Sequence, residues 1–209
     1  MRKALITVFM STVFATGCAT AEDNPWQVQG ADALKSRLAA KAFPDKAKNV
    51  IIFIGDGMGI STVTAARIFD GQSRGESGEE NELSFENFPH VALSKTYNHD
   101  AQVPDSAGTA TAMLTGAKTR IGVLSVAHNQ PRGQCAGADA YHLQSLVEKA
   151  EKAGMKTGVV TTTRLTHATP GSTYAHSPSR DWEDDTELTE EARMEGCKDI
   201  ARQFIEFPY

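Results

Sequence analysis

An α/β architecture, a doubly wound and mostly parallel central sheet with helices on both faces, is what the order of apolar patterns in this chain predicts. Short continuous apolar runs at residues 49–54, 91–97 and 156–162 have the pattern of strands buried on both faces. Stretches with helical spacing fall between and after them, and alternation of the two periods is the signature of strands joined by crossover helices. The runs also lead into segments that carry Asp, Ser, His and Thr, at the carboxyl ends of strands where open α/β sheets bind their ligands.

With 209 residues, 40% hydrophobic and 22% charged, the composition is that of an ordinary globular chain with one sizeable core. A net charge of −5 and a pI near 5.7 argue against a nucleic-acid binder, which carries a basic patch. The acid is concentrated at residues 75–82 and 181–191, runs that read as solvated faces or loops. At the N-terminus, Arg2-Lys3 precedes an apolar run too short to span a bilayer and then small residues, the pattern of an export signal. Two processing sites compete. Ala19-Thr20-Ala21 suits ordinary cleavage after residue 21, whereas Ala15-Thr16-Gly17-Cys18 has the form of a lipobox, with cleavage after residue 17 and a lipid anchor on Cys18. Either route leads to a periplasmic or secreted protein without a transmembrane span. In that oxidising compartment the remaining cysteines, Cys135 and Cys197, are expected to form a disulfide.

Taken in order, residues 22–30 form an exposed lead-in and residues 31–41 a helix with Leu34, Leu38 and Ala39 on one side, stopped by Pro44. The first apolar run ends in Gly55-Asp56-Gly57-Met58-Gly59, before a helix at 61–69. This glycine loop is an incomplete dinucleotide fingerprint, and Asp56 would put a carboxylate where a pyrophosphate belongs. A carboxylate there suits a hard cation, although Asp beside Gly is also what a tight turn favours. Residues 71–82 are polar and Gly-rich, hence a loop, and 91–97 are the second strand.

Val103-Pro104-Asp105-Ser106 then opens a small-residue helix ending near Gly116. Asp105 is a capping residue, and Ser106 sits in a first turn whose free N–H groups and dipole favour an anion. A serine hydroxyl needs activation, and residues 100–105 hold neither His nor Lys to provide it. Residues 117–137 show little periodicity and carry Pro131, Gly133 and Gly137, so they read as a long surface segment. A helix at 141–153 ends at Gly154, and the third strand leads to His167-Ala168-Thr169-Pro170, with Thr169 as cap and Pro170 as first helical residue. Arg180 has the fork geometry of a phosphate clamp, or is an exposed arginine paired with Asp181. A last amphipathic helix spans 198–206.

Asp56 in its glycine loop, residues 103–112, His167-Ala168-Thr169-Pro170 and Arg180 together resemble the alkaline phosphatase family, nearer to its animal-type branch, over about residues 48–205. The resemblance implies a broad-specificity phosphomonoester hydrolase that binds inorganic phosphate as product, uses two zinc ions and one magnesium, and is a homodimer when full length. It implies that Ser106 is the nucleophile that becomes phosphoserine and a zinc ligand, and that Arg180 holds the phosphate. Asp56 would bridge a zinc and the magnesium, Thr169 would ligate magnesium, and His167 would lie in or just outside that third metal site. Cys135 and Cys197 match a disulfide of the animal-type branch.

Family members are substantially longer, and their remaining metal ligands have no counterpart here. Residues 22–209 are therefore expected to be the N-terminal part of a single alkaline phosphatase domain, inactive or nearly so as an isolated polypeptide. Two rival readings stand beside this one. A sulfatase or phosphodiesterase of the same superfamily is the nearer, although the sulfatase formylglycine motif is absent; a secreted module that holds phosphate or a cation without turnover is the other.

Overall fold

The structure, a computed structural model, describes residues 25–39 and 47–209. The export signal, Cys18, Lys41 and Pro44 lie outside the described residues. Two compact units divide the chain: Met1–Val50 with Ser84–Val91, and Ile51–Leu83 with Ala92–Tyr209. In the first, helix α1 runs Pro25–Ala39, beginning earlier than its apolar spacing predicts, and a short 3-10 turn covers Ser84–Asn87. Leu34 and Leu38 are exposed.

The second unit holds the remaining elements. Helix α2 (Ile60–Ser73) outlasts its expected end and turns the first part of the presumed loop into helix. Helix α3 (Ser106–Thr115) has the boundaries that its termini dictate. Asp105 accepts a bond from Gly108 N at the front, and at the back Gly116 adopts φ 80°, a left-handed conformation that glycine reaches without a Cβ clash. The predicted helix at 141–153 is split. A 3-10 turn at Ala138–Tyr141 precedes α4 (Leu146–Lys152), which starts at Ser145 because Ser145 and Glu148 cap one another reciprocally. Short helices α5 (Ala168–Gly171), α6 (Glu190–Met194) and α7 (Ile200–Ile205) follow. The cap of α5 is His167, so Thr169 falls inside the helix instead of before it.

The largest departure from expectation concerns residues 117–137. Val123, Leu124, Ser125 and Val126 are fully buried, and Thr119 with them. Residues 119–127 thread the middle of the unit, without periodicity, because single bridges and side-chain bonds hold them where a regular ladder would impose a repeat; residues 128–137 stay mostly at the surface, as expected. Leu124 exchanges backbone bonds with Ser177, and Val126 bridges His142. Thr111 on α3 accepts from Ser125 N at 2.8 Å, Thr119 Oγ1 donates to Val126 O, and Ser125 takes a φ of 50°. Leu124 joins Ala107, Ala168, Tyr174, Ala175 and Ile200 in the main core, so α3 and α5 meet over it. A second cluster gathers Trp182, Leu188 and Ala192 around the Cys135–Cys197 disulfide, which forms as expected.

The predicted strands behave differently. Among the described residues no strand is paired into a ladder, and Ile51, Phe53, Val91, Leu93 and Val160 are exposed. A strand's backbone groups are satisfied only by a neighbour, so apolar continuity marks a segment fit for a sheet interior without supplying the sheet. No helix of the described residues is long and apolar enough to cross a membrane.

Candidate active site

Ser106 is the first residue of α3, and the elements described above deliver four other predicted residues to its neighbourhood. Arg180, nine residues beyond the end of α5, has its backbone N–H bound to Gly122 O at 2.8 Å. That anchor aims its guanidinium back at α3. Nη1 donates to Ser106 Oγ at 2.9 Å and to Asp105 Oδ2 at 3.2 Å, and Nη2 reaches His167 Nε2 at 3.0 Å. Asp181, the alternative partner, is engaged by Arg132 at 2.6 Å. Arg180 is therefore paired with Asp105 and Ser106 and not with Asp181.

A guanidinium has donors only, so His167 Nε2 must accept and the ring proton resides on Nδ1. Nδ1 is buried without a hydrogen-bond partner, 3.8 Å from Asp56 Oδ2. That same carboxylate oxygen accepts from Thr169 Oγ1 at 2.9 Å. Ser106, Arg180, His167, Asp56 and Thr169 therefore form one continuous chain of neighbours, joined across 113 positions of sequence at the Thr169–Asp56 contact. The loop before His167 is held by Glu183, which takes Thr166 and both arms of Arg164; those partners lower its carboxyl to about 2.

Asp105 does more than the sequence reveals. Burial pushes its carboxyl up, yet N–H bonds from Gly108 and Gly122, with Arg180 and Asn98, outweigh burial and hold it below the usual carboxylate value. It stays ionised beneath the guanidinium, so one residue serves as helix cap and as counter-ion. Its place directly before Ser106 was legible. Its second role depends on Arg180 and Gly122 arriving from far along the chain.

A cation has partial support here. Asp56 and Thr169 offer adjacent hard oxygens of the type magnesium takes, and His167 Nδ1 is a buried polar atom beside them without a hydrogen-bond partner. A catalytic zinc takes three protein ligands. Among the described residues there is no group of three or more His, Cys, Asp or Glu able to hold a metal, so the residues described do not by themselves fit a zinc centre.

The alkaline phosphatase family matches residues 47–207. The tissue-nonspecific alkaline phosphatase of Mus musculus is 51% identical over 181 residues, which are 86% of this chain and 34% of the mouse protein. That of Gallus gallus is 45% identical over 209 residues, 99% of this chain and 40% of its own length. A cold-active alkaline phosphatase from the psychrophile Shewanella sp. superposes with a TM-score of 0.51 at 32% identity, over 62% of this chain and 30% of that structure. The chain spans between about a third and two fifths of the length of the curated relatives it matches. A match of this extent and identity means that the chain belongs to the alkaline phosphatase family.

Proposed function

We propose that this chain supplies the nucleophile and the phosphate clamp of a broad-specificity phosphomonoester hydrolase. The observation that carries the reading is Arg180 held between the Ser106 hydroxyl and the Asp105 carboxylate. Ser106 Oγ attacks phosphorus as the ester oxygen leaves with the bonding pair, and the hydroxyl proton ends, by way of solvent, on the departing alcohol, giving phosphoserine; water then attacks the same phosphorus, the P–Oγ bond breaks with its pair going to Oγ, which takes up a proton from the water, and inorganic phosphate is released. The guanidinium and the N–H groups of the first turn of α3 stabilise charge on the phosphoryl oxygens through both steps. His167, donating nothing at Nε2, steadies the outer arm of Arg180. Magnesium would be held by Asp56 and Thr169, with His167 just outside. When bound, a divalent cation supplies Lewis-acid chemistry that lowers the pKa of a bound oxygen. The two zinc ions of the family reading need ligands beyond the described residues, and no step is derived through them.

The exposed apolar runs at 49–54, 91–97 and 156–162 provide strands to a doubly wound, mostly parallel sheet when ladder partners are present. Residues 22–209 are then the N-terminal part of one domain, homodimeric in its complete form. The Cys135–Cys197 disulfide favours export, to the periplasm or beyond, after removal of residues 1–21, or 1–17 with a lipid on Cys18.

Two arms test the reading. Phosphate titration of the 209-residue chain, followed by phosphorus NMR, is expected to show binding that Ser106→Ala retains and Arg180→Ala abolishes; the chain alone is expected to hydrolyse p-nitrophenyl phosphate negligibly. Residues 47–207 placed in the mouse enzyme in exchange for its matching segment should restore hydrolysis that depends on Ser106. Turnover indifferent to Ser106 refutes the nucleophile. A folded chimera that binds phosphate without turnover makes this chain a binding module.

A further inference from the structure

Asp105 has two carboxylate oxygens with separate tasks, and the torsion that orients them is soft. The terminal sp³–sp² torsion of an Asp has broad, roughly twofold wells, so the carboxylate plane is held by the donors around it, the backbone N–H groups of Gly108 and Gly122 among them. A side-chain donor to Oδ1 reinforces the orientation in which Oδ2 faces Arg180. Asn98 provides it: Nδ2 donates to Asp105 Oδ1 at 2.8 Å, beside the 3.1 Å bond from Gly108 N.

Asn98 is itself held on every side. It is 2% exposed, and its backbone N–H bonds Ala101 O at 2.9 Å. The residues on either side are anchored as well, His99 N to Thr119 O and Tyr97 O by Lys118 Nζ. The amide presses against α3 where residue 108 has no side chain. A Cβ built on Gly108 would meet Asn98 Oδ1 at 2.5 Å, Cγ at 2.6 Å and Nδ2 at 2.8 Å. Gly108 thus makes the opening through which the amide reaches the carboxylate. Asn98 Oδ1 meanwhile is buried with no hydrogen-bond partner. Flipping the amide would turn that oxygen toward the Asp105 anion, so the carboxylate's charge selects the orientation at the expense of an unmet acceptor. A residue serving only to fill space would be apolar here and would leave no polar atom unsatisfied.

From this geometry we propose that Asn98 is a positioning residue of the Ser106 site, its amide fixing Asp105 and, through it, the Arg180 guanidinium against the Ser106 hydroxyl, with Gly108 kept bare to admit it. The inference rests on the phosphatase reading for its purpose but not for its geometry. Asn98→Asp keeps the shape and replaces the donor with a like charge. Gly108→Ala keeps the amide and displaces it. The Asn98→Ala and Gly108→Ala double variant puts a methyl group into part of the space that the amide leaves, so packing is partly restored while the donor stays absent.

The experiment records, for each variant of the 209-residue chain, the melting temperature, the Arg180 guanidinium N–H resonances and the affinity for inorganic phosphate. The double variant is expected to melt near the unsubstituted chain, yet to show Arg180 signals averaged by free rotation and a phosphate Kd raised about tenfold, the loss of one hydrogen bond to a charged group. Asn98→Asp should loosen Arg180 at least as much. Hindered Arg180 signals and undiminished phosphate affinity in the double variant, or in Asn98→Asp if the double variant does not fold, overturn the proposal. If the unsubstituted chain binds no phosphate but its Arg180 signals still respond to Asn98, the phosphatase reading fails and the positioning role stands.

Discussion

Cutting the link between Cys135 and Cys197 should remove a large part of the stability of the second unit. The bond closes a loop of sequence separation 62. By the chain-entropy relation, restricting an unfolded loop of that size contributes about 4 kcal/mol. The folded side adds packing: Cys135 is buried with Trp182, Leu188 and Ala192, and its N–H donates to Glu191 Oε1 at 3.2 Å, which ties α6 to the 117–137 segment. Substituting both cysteines by alanine avoids a buried unpaired thiol or hydroxyl, so most of the measured loss reports the cross-link. Urea unfolding followed by far-ultraviolet circular dichroism should show the double-alanine chain less stable by about 4 kcal/mol, with a steeper denaturant slope because its unfolded state is less compact. For a chain of this length the midpoint temperature should fall by roughly 10 °C. Alkylation without reductant should find no free thiol at either position of the unsubstituted chain. A stability difference below about 1 kcal/mol, with the bond shown to be formed beforehand, would refute the argument that loop closure in the unfolded ensemble carries the effect.

Three further outcomes follow from the same contacts. Arg180→Lys keeps the charge but cannot serve Ser106, Asp105 and His167 from one planar fork, so phosphate affinity in calorimetry should fall about tenfold or more despite conserved charge. Leu124→Ala, in the buried core, should cost about 3 kcal/mol in urea unfolding, whereas Leu93→Ala, 91% exposed, should change stability by less than about 0.5 kcal/mol.

The third outcome concerns pH. Burial lowers the His176 pKa, but the bonds to Glu148 and to Ser125 O outweigh it, and the net value is raised above 6.5; Glu148, pushed up by burial, is brought below 4.5 chiefly by His176 and by its bond to Ser145 N. His142, stacked on His176, is lowered by burial and by that neighbour's charge, while Asp139 faces both rings. The His176 contribution is therefore complete below pH 6.5 and lost as pH rises through its elevated value. That of Glu148 is complete above pH 4.5 and lost as pH falls through its depressed value. Glu148→Gln keeps the capping box, so its deficit in unfolding free energy should peak at about 2 kcal/mol between pH 4.5 and 6.5 and shrink on both sides. A deficit independent of pH would show that the pair contributes no charge interaction.

Local chemistry decided what was legible in the sequence alone. Asp105 before a run of small residues and Gly116 after it set both ends of α3, because caps act within a turn of the backbone they satisfy. Ser106, Arg180, Asp56, His167 and Thr169 stood out as a set through the resemblance to the alkaline phosphatase family, and Cys135 and Cys197 are paired as expected. Tertiary structure alone decided which partners those groups take. Arg180 passes over adjacent Asp181 for Asp105, 75 positions away, because Gly122 fixes its backbone and Arg132 occupies Asp181. Residues 119–127 pass through the interior although no periodicity marks them, since their polar groups are met by Thr111, Ser177 and Ser172 from other segments. Burial and pairing are properties of what surrounds a residue, and for an aperiodic segment or a lone arginine those surroundings are assembled only when the chain folds.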